Sequence, residues 1–173
     1  KGKYKPEIDG LRALAVIAVI INHFNKNIVP GGYLGVDIFF VISGYVITFS
    51  LVNNFGNQSA IDFFGGFYSR RIKRILPALV FYCIFIAPII SLIVLRPGQS
   101  LFTGIYSLFG VSNIYLYSIS TDYFGQIAAL NPFTQTWSLG VEEQFYFIYP
   151  IIFYVLLHHG DNANKLDFKR FNF

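Results

Sequence analysis

Two side chains in one apolar stretch pose the chemical question. Arg12 and His23 lie in or beside the run Leu11 to Val29, which is otherwise suited to hydrocarbon. They are eleven residues apart. On an α-helix that is about 1100° of rotation, so both fall within roughly 20° on one face, about 16 Å apart along the axis. A guanidinium near one membrane face and an imidazole about half a bilayer deeper could hold two parts of one long substrate. Imidazole, with an ordinary pKa of about 6.5, suits general-base work or receipt of an acyl group. The structural alternatives are an arginine that snorkels to the headgroups and a histidine bonded to Asn22 or a tyrosine.

Three more groups could act with them. Arg70, Arg71, Lys73 and Arg74 form a cluster whose forked guanidinium donors match phosphate geometry, and which equally serves as a topology signal bound to anionic headgroups. Glu142 and Glu143 open the last apolar stretch, where a helix N-terminus favours carboxylates. Adjacent helical residues point ~100° apart, so only one of the two can face a given site. The other is free to pair with an arginine. His158 and His159 sit at a polar tail, and no spacing in the chain suggests a metal site. Cys83 is the sole cysteine, which excludes an internal disulfide and leaves it as a packing thiol.

The elements that must position these groups are read from composition. With 54% hydrophobic, 19% aromatic and 13% charged residues, the chain belongs with membrane proteins rather than with soluble domains or nucleic-acid modules. Five stretches approach the ~20 residues that cross a bilayer: Leu11 to Val29, Leu34 to Val52, Leu76 to Leu95, Leu101 to Ser118, and Leu139 to Leu157. Thr103, Gly104, Ser107, Gly110, Ser112 and Asn113 dilute the fourth. The expected fold is all-α and polytopic, with about five transmembrane helices and an interfacial helix between the second and third, carried by Phe63, Phe64, Phe67, Tyr68 and the basic cluster.

Local signals refine that outline. Asp9 is the expected N-cap of the first helix and Thr136-Trp137-Ser138 the cap region of the last. Ala13, Ala15 and Ala18 allow close helix approach, and Asn27, Pro30, Gly31 and Gly32 predict a tight turn into an antiparallel hairpin. Pro77 fits the start of the third span and Pro88 its interior. Lys1, Lys3, Lys5 and Arg12 must share a side with the Arg70 to Arg74 cluster, and the positive-inside rule makes that side cytoplasmic. An odd number of spans then places Lys165, Lys169 and Arg170 outside, against the rule. Ile119 to Ser138 has no basic residue to fix its side. Methionine is absent and residue 1 is lysine, so a fragment of a longer product is expected.

Four blocks, taken in order, resemble a known family. They are Glu7-Ile8-Asp9-Gly10-Leu11-Arg12 with His23 eleven residues on, Gly35 to Gly44 (GVDIFFVISG), Phe67 to Ala78 (FYSRRIKRILPA), and Thr136 to Tyr146 (TWSLGVEEQFY). Together they are similar to the type-3 membrane acyltransferases, which O-acylate cell-surface carbohydrates. The resemblance implies that Arg12 and His23 are the essential pair, that Arg70, Arg71 and Arg74 form the cytoplasmic donor motif, and that the donor is an acyl-coenzyme A. No permanently bound cofactor or metal is implied. It further implies that residues 1–158 are the N-terminal part of a membrane acyltransferase domain, followed by a polar tail at 159–173. Two features depart from the family pattern: Gln135 stands where many relatives have a histidine two places before the tryptophan, and the family domain has about twice as many spans.

The expected function is transfer of an acyl group, taken to be acetyl, from cytoplasmic acyl-CoA to a hydroxyl of a surface or exported carbohydrate or glycolipid. His23 would be base or acyl relay, Arg12 the donor-orienting cation, and Glu142 and Glu143 groups that orient the site. The expected location is the inner membrane of a bacterium, N-terminus cytoplasmic, with membrane lipid and the missing C-terminal half as further partners. A transporter lined by the same charged residues, or an inactive half-length chain, is the alternative.

Overall fold

A computed structural model of the chain describes residues 6–55, 59–120 and 130–159. It is all-helical over those residues, with six α-helices: α1 (Pro6–Phe24), α2 (Gly35–Asn54), α3 (Ala60–Ile93), α4 (Gly98–Leu108), α5 (Ser112–Ser120) and α6 (Thr136–His159). Backbone contacts divide the chain into two compact units, 1–58 with 153–173, and 59–152.

In the first unit α1 starts at Pro6, with Glu7 and Asp9 in its first turn. The expected N-cap at Asp9 is therefore corrected: Asp9 is a helical residue. Proline costs nothing at a first helical position, and both carboxylates complement the positive helix end. The helix ends at Phe24 rather than near Val29, because Asn22 turns the chain. Its buried carboxamide donates to the Val29 carbonyl at 2.8 Å and to that of Pro30 at 3.4 Å. Replacing Asn22 by leucine should cost about 1–2 kcal/mol by leaving those carbonyls unmet, read as a lower unfolding midpoint of the detergent-solubilised protein.

The expected hairpin is present. A short 3-10 turn at Gly32–Leu34 leads into α2, which returns along α1 with Gly32 against Ala18 and Asn22, and Gly35 against Ala15 and Val19. Ile42, Ser43, Ile47 and Leu51 form the buried stripe of α2. Phe55 closes the unit edge-on to Phe153 and Tyr154, with ring centroids 6.0 and 5.8 Å away.

In the second unit α3 is one helix of 34 residues, about 51 Å long. Ser59 caps it, its hydroxyl accepting from the Asp62 N–H at 3.2 Å and donating to the Asp62 carboxylate at 2.7 Å. The separate interfacial helix is thus corrected to an N-terminal extension of the third span. Pro77 lies inside the helix rather than at a start. Its missing N–H removes one ladder bond, while the arginine, lysine and leucine residues around it are strong helix formers.

The fourth apolar stretch does not make one span. It breaks into α4, of 11 residues, and α5, of 9, each covering only about half of a ~30 Å hydrocarbon layer. The break is at Gly110, whose φ is 68°. The Gly110 N–H bonds to the Ser107 carbonyl at 3.1 Å and the Val111 N–H to that of Tyr106 at 3.0 Å, the Schellman pattern of a left-handed helix end. The Gly110 carbonyl then accepts from Gln144 of α6 at 3.0 Å. An interruption of this kind is tolerated away from water only where protein satisfies the backbone, and Gln144 does so here. Gly110→Ala should cost about 2 kcal/mol or more, since a Cβ would sit in the left-handed region and 2.5 Å from the Glu143 carboxylate. The check is the same unfolding midpoint.

Two segments, Gly32–Asn54 and Ala60–Ile93, are long and apolar enough to cross a membrane. Large apolar side chains such as Val41, Leu92 and Ile93 are 73–87% exposed, a surface that suits lipid rather than water. Among the described residues these two meet that test, and the expected count of five spans is not confirmed. Residues 121–129 of the 119–138 connector, and the tail from 160 on, lie outside the described residues.

Candidate functional site

Each unit carries part of the expected site. In the first, α1 runs unbroken through Arg12 and His23, so the common stripe inferred from spacing is kept. At about 16 Å along the axis they are not a contacting pair. Arg12 lies 3.7 Å from Asp9, its side chain 20% exposed. His23 is exposed, and its Nδ1 is 2.8 Å from the Val19 carbonyl. A carbonyl only accepts, so Nδ1 carries the proton in this bond, and in the neutral ring Nε2 is the nitrogen with the free lone pair. The helix's own backbone thereby orients the ring.

In the second unit the arginines divide into two groups. Arg71 stacks between the rings of Phe67 and Tyr146, with its guanidinium carbon 5.5 and 5.2 Å from the two centroids. Tyr146 in turn donates to Glu142 at 2.6 Å. Arg71 and Glu142 thus meet through Tyr146, joining α3 to α6. Tyr68 adds a second tie, donating to the Phe147 carbonyl at 2.9 Å. Arg70 and Arg74 are exposed, with their forks open to an anion. Glu143 faces another way from Glu142, as adjacent helical residues must, and packs its carboxylate on Gly110.

Between α3 and the start of α6 lies a cleft of about 410 Å³, lined by Arg74, Ala78, Leu79, Tyr82, Gln135 and Leu139, among others. Beside it a buried hydrogen-bonded core fixes the segment before α6. Asn131 donates to Thr103 at 2.8 Å and accepts from the Phe133 N–H at 3.0 Å. Tyr82 donates to the Pro132 carbonyl at 2.7 Å, and Gln135 donates to Tyr82. Cys83 lies 3.8 Å from the Gly104 carbonyl, a packing thiol as expected. Sequence reasoning missed this polar cluster. The departure at Gln135 and the polar Thr103 in the fourth stretch were the signals that touched it. Among the described residues no group of three or more His, Cys, Asp or Glu could hold a metal.

Apolar helices with exposed apolar surfaces, a stripe of arginine and histidine on one of them, and exposed arginines on another are the features of a helical membrane protein. The family model described as an acyltransferase domain, type 3, matches residues 5–164. The chain belongs to that family. It is 42% identical over 166 residues to the O-acetyltransferase OatA of Staphylococcus aureus strain NCTC 8325, covering 94% of this chain and 27% of that protein. A second S. aureus protein, from strain MSSA476 and provisionally named an O-acetyltransferase, is 39% identical over 172 residues, 97% of this chain and 28% of its own length. The chain thus spans about a quarter of the relatives it matches. No solved structure matches it.

Proposed function

We propose that the chain is part of a membrane O-acyltransferase that takes an acyl group, acetyl by analogy with its relatives, from a cytoplasmic acyl-CoA and passes it to a hydroxyl of a surface or exported carbohydrate or glycolipid. The observation that carries this reading is the match over residues 5–164, within which the His23 ring is oriented by its Nδ1–H bond to the Val19 carbonyl. In the reaction the hydroxyl oxygen bonds to the thioester carbonyl carbon, the C–S bond breaks, and the thiolate leaves. His23 Nε2 takes the hydroxyl proton and returns it to the thiolate. Arg12 is the cation proposed to orient the donor, while Arg70 and Arg74, and Arg71 through its stacked guanidinium, form the donor's phosphate-binding face. Glu142 and Glu143 act as positioning residues. Glu142 does so through Tyr146 and Arg71. By the positive-inside rule the N-terminus and the arginine cluster lie on the cytoplasmic side of the inner membrane.

The donor role of the arginines is tested by kinetics on the intact protein in membranes. Arg70→Ala with Arg74→Ala should raise the KM for acyl-CoA by about 10–100-fold, the scale of one or two charge-assisted hydrogen bonds, and leave the acceptor KM unchanged. An unchanged donor KM would remove them from donor binding.

A further inference from the structure

The fourth apolar stretch turns back on itself. Tyr115 of α5 stacks on Tyr106 of α4, with ring centroids 4.5 Å apart and planes 19° from parallel. Its ring is also 6.5 Å from that of Phe102. In one continuous helix Phe102 and Tyr115 would stand about 20 Å apart along the axis, too far for their rings to meet. From the left-handed Gly110, α5 therefore runs back along α4. The two short helices form a hairpin with both ends on one side. Because α4 starts at Gly98, shortly after α3 ends at Ile93, that is the side on which α3 ends.

A hairpin that stops part-way through a bilayer is tolerated only where protein meets its polar groups. Thr103, Ser107 and Ser112 are at most 2% exposed, and they donate to the carbonyls of Gln99, Gly104 and Thr136 at 2.8, 2.7 and 2.7 Å. At the tip Gln144 of α6 donates to the Gly110 carbonyl and exchanges hydrogen bonds with the Asn113 carboxamide at 2.8 and 3.3 Å. The chain then comes back beside α4, with Asn131 on Thr103 and Phe133 on Gly104. From there α6 runs antiparallel to α3: Gln135 meets Tyr82, Tyr146 meets Arg71, and Phe147 meets Tyr68. It is thus directed at the arginine cluster. In the other unit Phe153 and Tyr154 meet Phe55, just past the end of α2 that leads into α3.

We propose that α4 and α5 form a re-entrant hairpin that dips into the membrane from the extracytoplasmic side and returns there, and that α6 then carries the chain back to the cytoplasmic side. The hairpin follows from the ring contacts, and its orientation from the positive-inside rule. Crossings by α1, α2, α3 and α6 place Lys1, Lys3, Lys5, the Arg70 to Arg74 cluster, Lys165, Lys169 and Arg170 on one side. A five-span path leaves the last three on the wrong side, so the hairpin removes the one charge conflict in the sequence. The connector from Ile119 to Ser138, which has no basic residue, begins on the opposite side. Gln144 is assigned as the residue that lets the hairpin stop part-way, since it meets the carbonyl at the turn. That the connector's side is also the acceptor's side rests on the acyltransferase reading above. The hairpin itself does not.

The experiment reads sidedness in the intact protein, expressed in bacterial cells stripped of their outer layers. Cys83→Ser removes the sole cysteine, and single cysteines are then placed by Asn27→Cys and Ile61→Cys as outer and inner references, and by Ser120→Cys, Leu130→Cys and His159→Cys. A membrane-impermeant maleimide bearing polyethylene glycol, added outside, should shift the mass of the Asn27, Ser120 and Leu130 variants. The Ile61 and His159 variants should shift only after permeabilisation. Should Ser120→Cys fail to fold, Tyr117→Cys, at a 74% exposed position on the same helix, gives the same reading. Loss of the outside shift at Ser120 or Leu130, with reaction only after permeabilisation, overturns the hairpin, because α4 and α5 would then cross the membrane. Reaction of His159→Cys from outside overturns it too, by restoring an odd number of crossings. The readout does not involve acyl transfer. A chain that labels as expected but turns over no acyl-CoA keeps the hairpin and loses the transferase, whereas turnover with the opposite labelling loses the hairpin alone.

Discussion

Replacing His23 by alanine is expected to lower acyl transfer by about 10²–10⁴-fold, the usual contribution of a positioned general base, with insertion and folding retained. The separation of these effects follows from how the residue is held. His23 is exposed and its one bond is to the Val19 carbonyl of its own helix, so its removal leaves no cavity and no buried group unmet. The α1–α2 seam is made by other residues, Ala15, Ala18 and Asn22. A His23→Asn variant sharpens the test, because asparagine offers an N–H but no nitrogen base. Both variants should give native unfolding midpoints in detergent and the same loss in kcat. A variant that stays folded and active would take His23 out of the chemistry.

Gly35→Leu should have the largest effect on stability, at about 3 kcal/mol or more. A Cβ at that position would come within 2.5 Å of the Ala15 carbonyl oxygen and 2.7 Å of Val19 Cγ2. The nearer atom is backbone, so no rotamer change relieves the clash, and α2 must move off α1. At Gly44, on the same helix, an added Cβ would meet nothing within 4 Å. Gly44→Ala should therefore be neutral or slightly stabilising, since alanine is the better helix former by about 1 kcal/mol. Unfolding midpoints of the two variants decide it. Similar midpoints would mean that the seam between α1 and α2 does not hold the unit together.

The contrast between these two predictions shows what could be read in the sequence. The stripe of Arg12 and His23 was readable because one helix fixes the relation between its own residues. The small residues Ala15 and Ala18, followed by a glycine-rich turn, likewise announced a close hairpin. Features that depend on a second element were not readable. Arg71 looked equivalent to Arg70 and Arg74 until the ring of Tyr146, 75 positions later in the chain, took it into a stack. The cleft depends on Gln135 reaching Tyr82, 53 residues away, and no periodicity encodes that pairing.

The helix boundaries failed for local reasons. Polar residues diluted the fourth stretch visibly, yet only the left-handed Gly110 with Gln144 beneath its carbonyl turns dilution into a break. Pro77 pointed to a helix start, but strong helix formers on both sides carried α3 past it. Asp9 has the chemistry of a cap and a place inside the first turn. The described helix already includes Pro6, three residues before Asp9.

One transfer, from a thioester to a hydroxyl, underlies every role given to these residues. The most direct measurement supplies coenzyme A carrying a labelled acetyl group to sealed membrane vesicles containing the intact protein, with a carbohydrate acceptor present, and follows both the label and the free thiol. One alkali-labile acetyl ester on the acceptor for each thiol released, lost in His23→Ala, is the result this mechanism predicts. Label that stays on the thioester while solute crosses the vesicle wall would contradict it and make the protein a transporter.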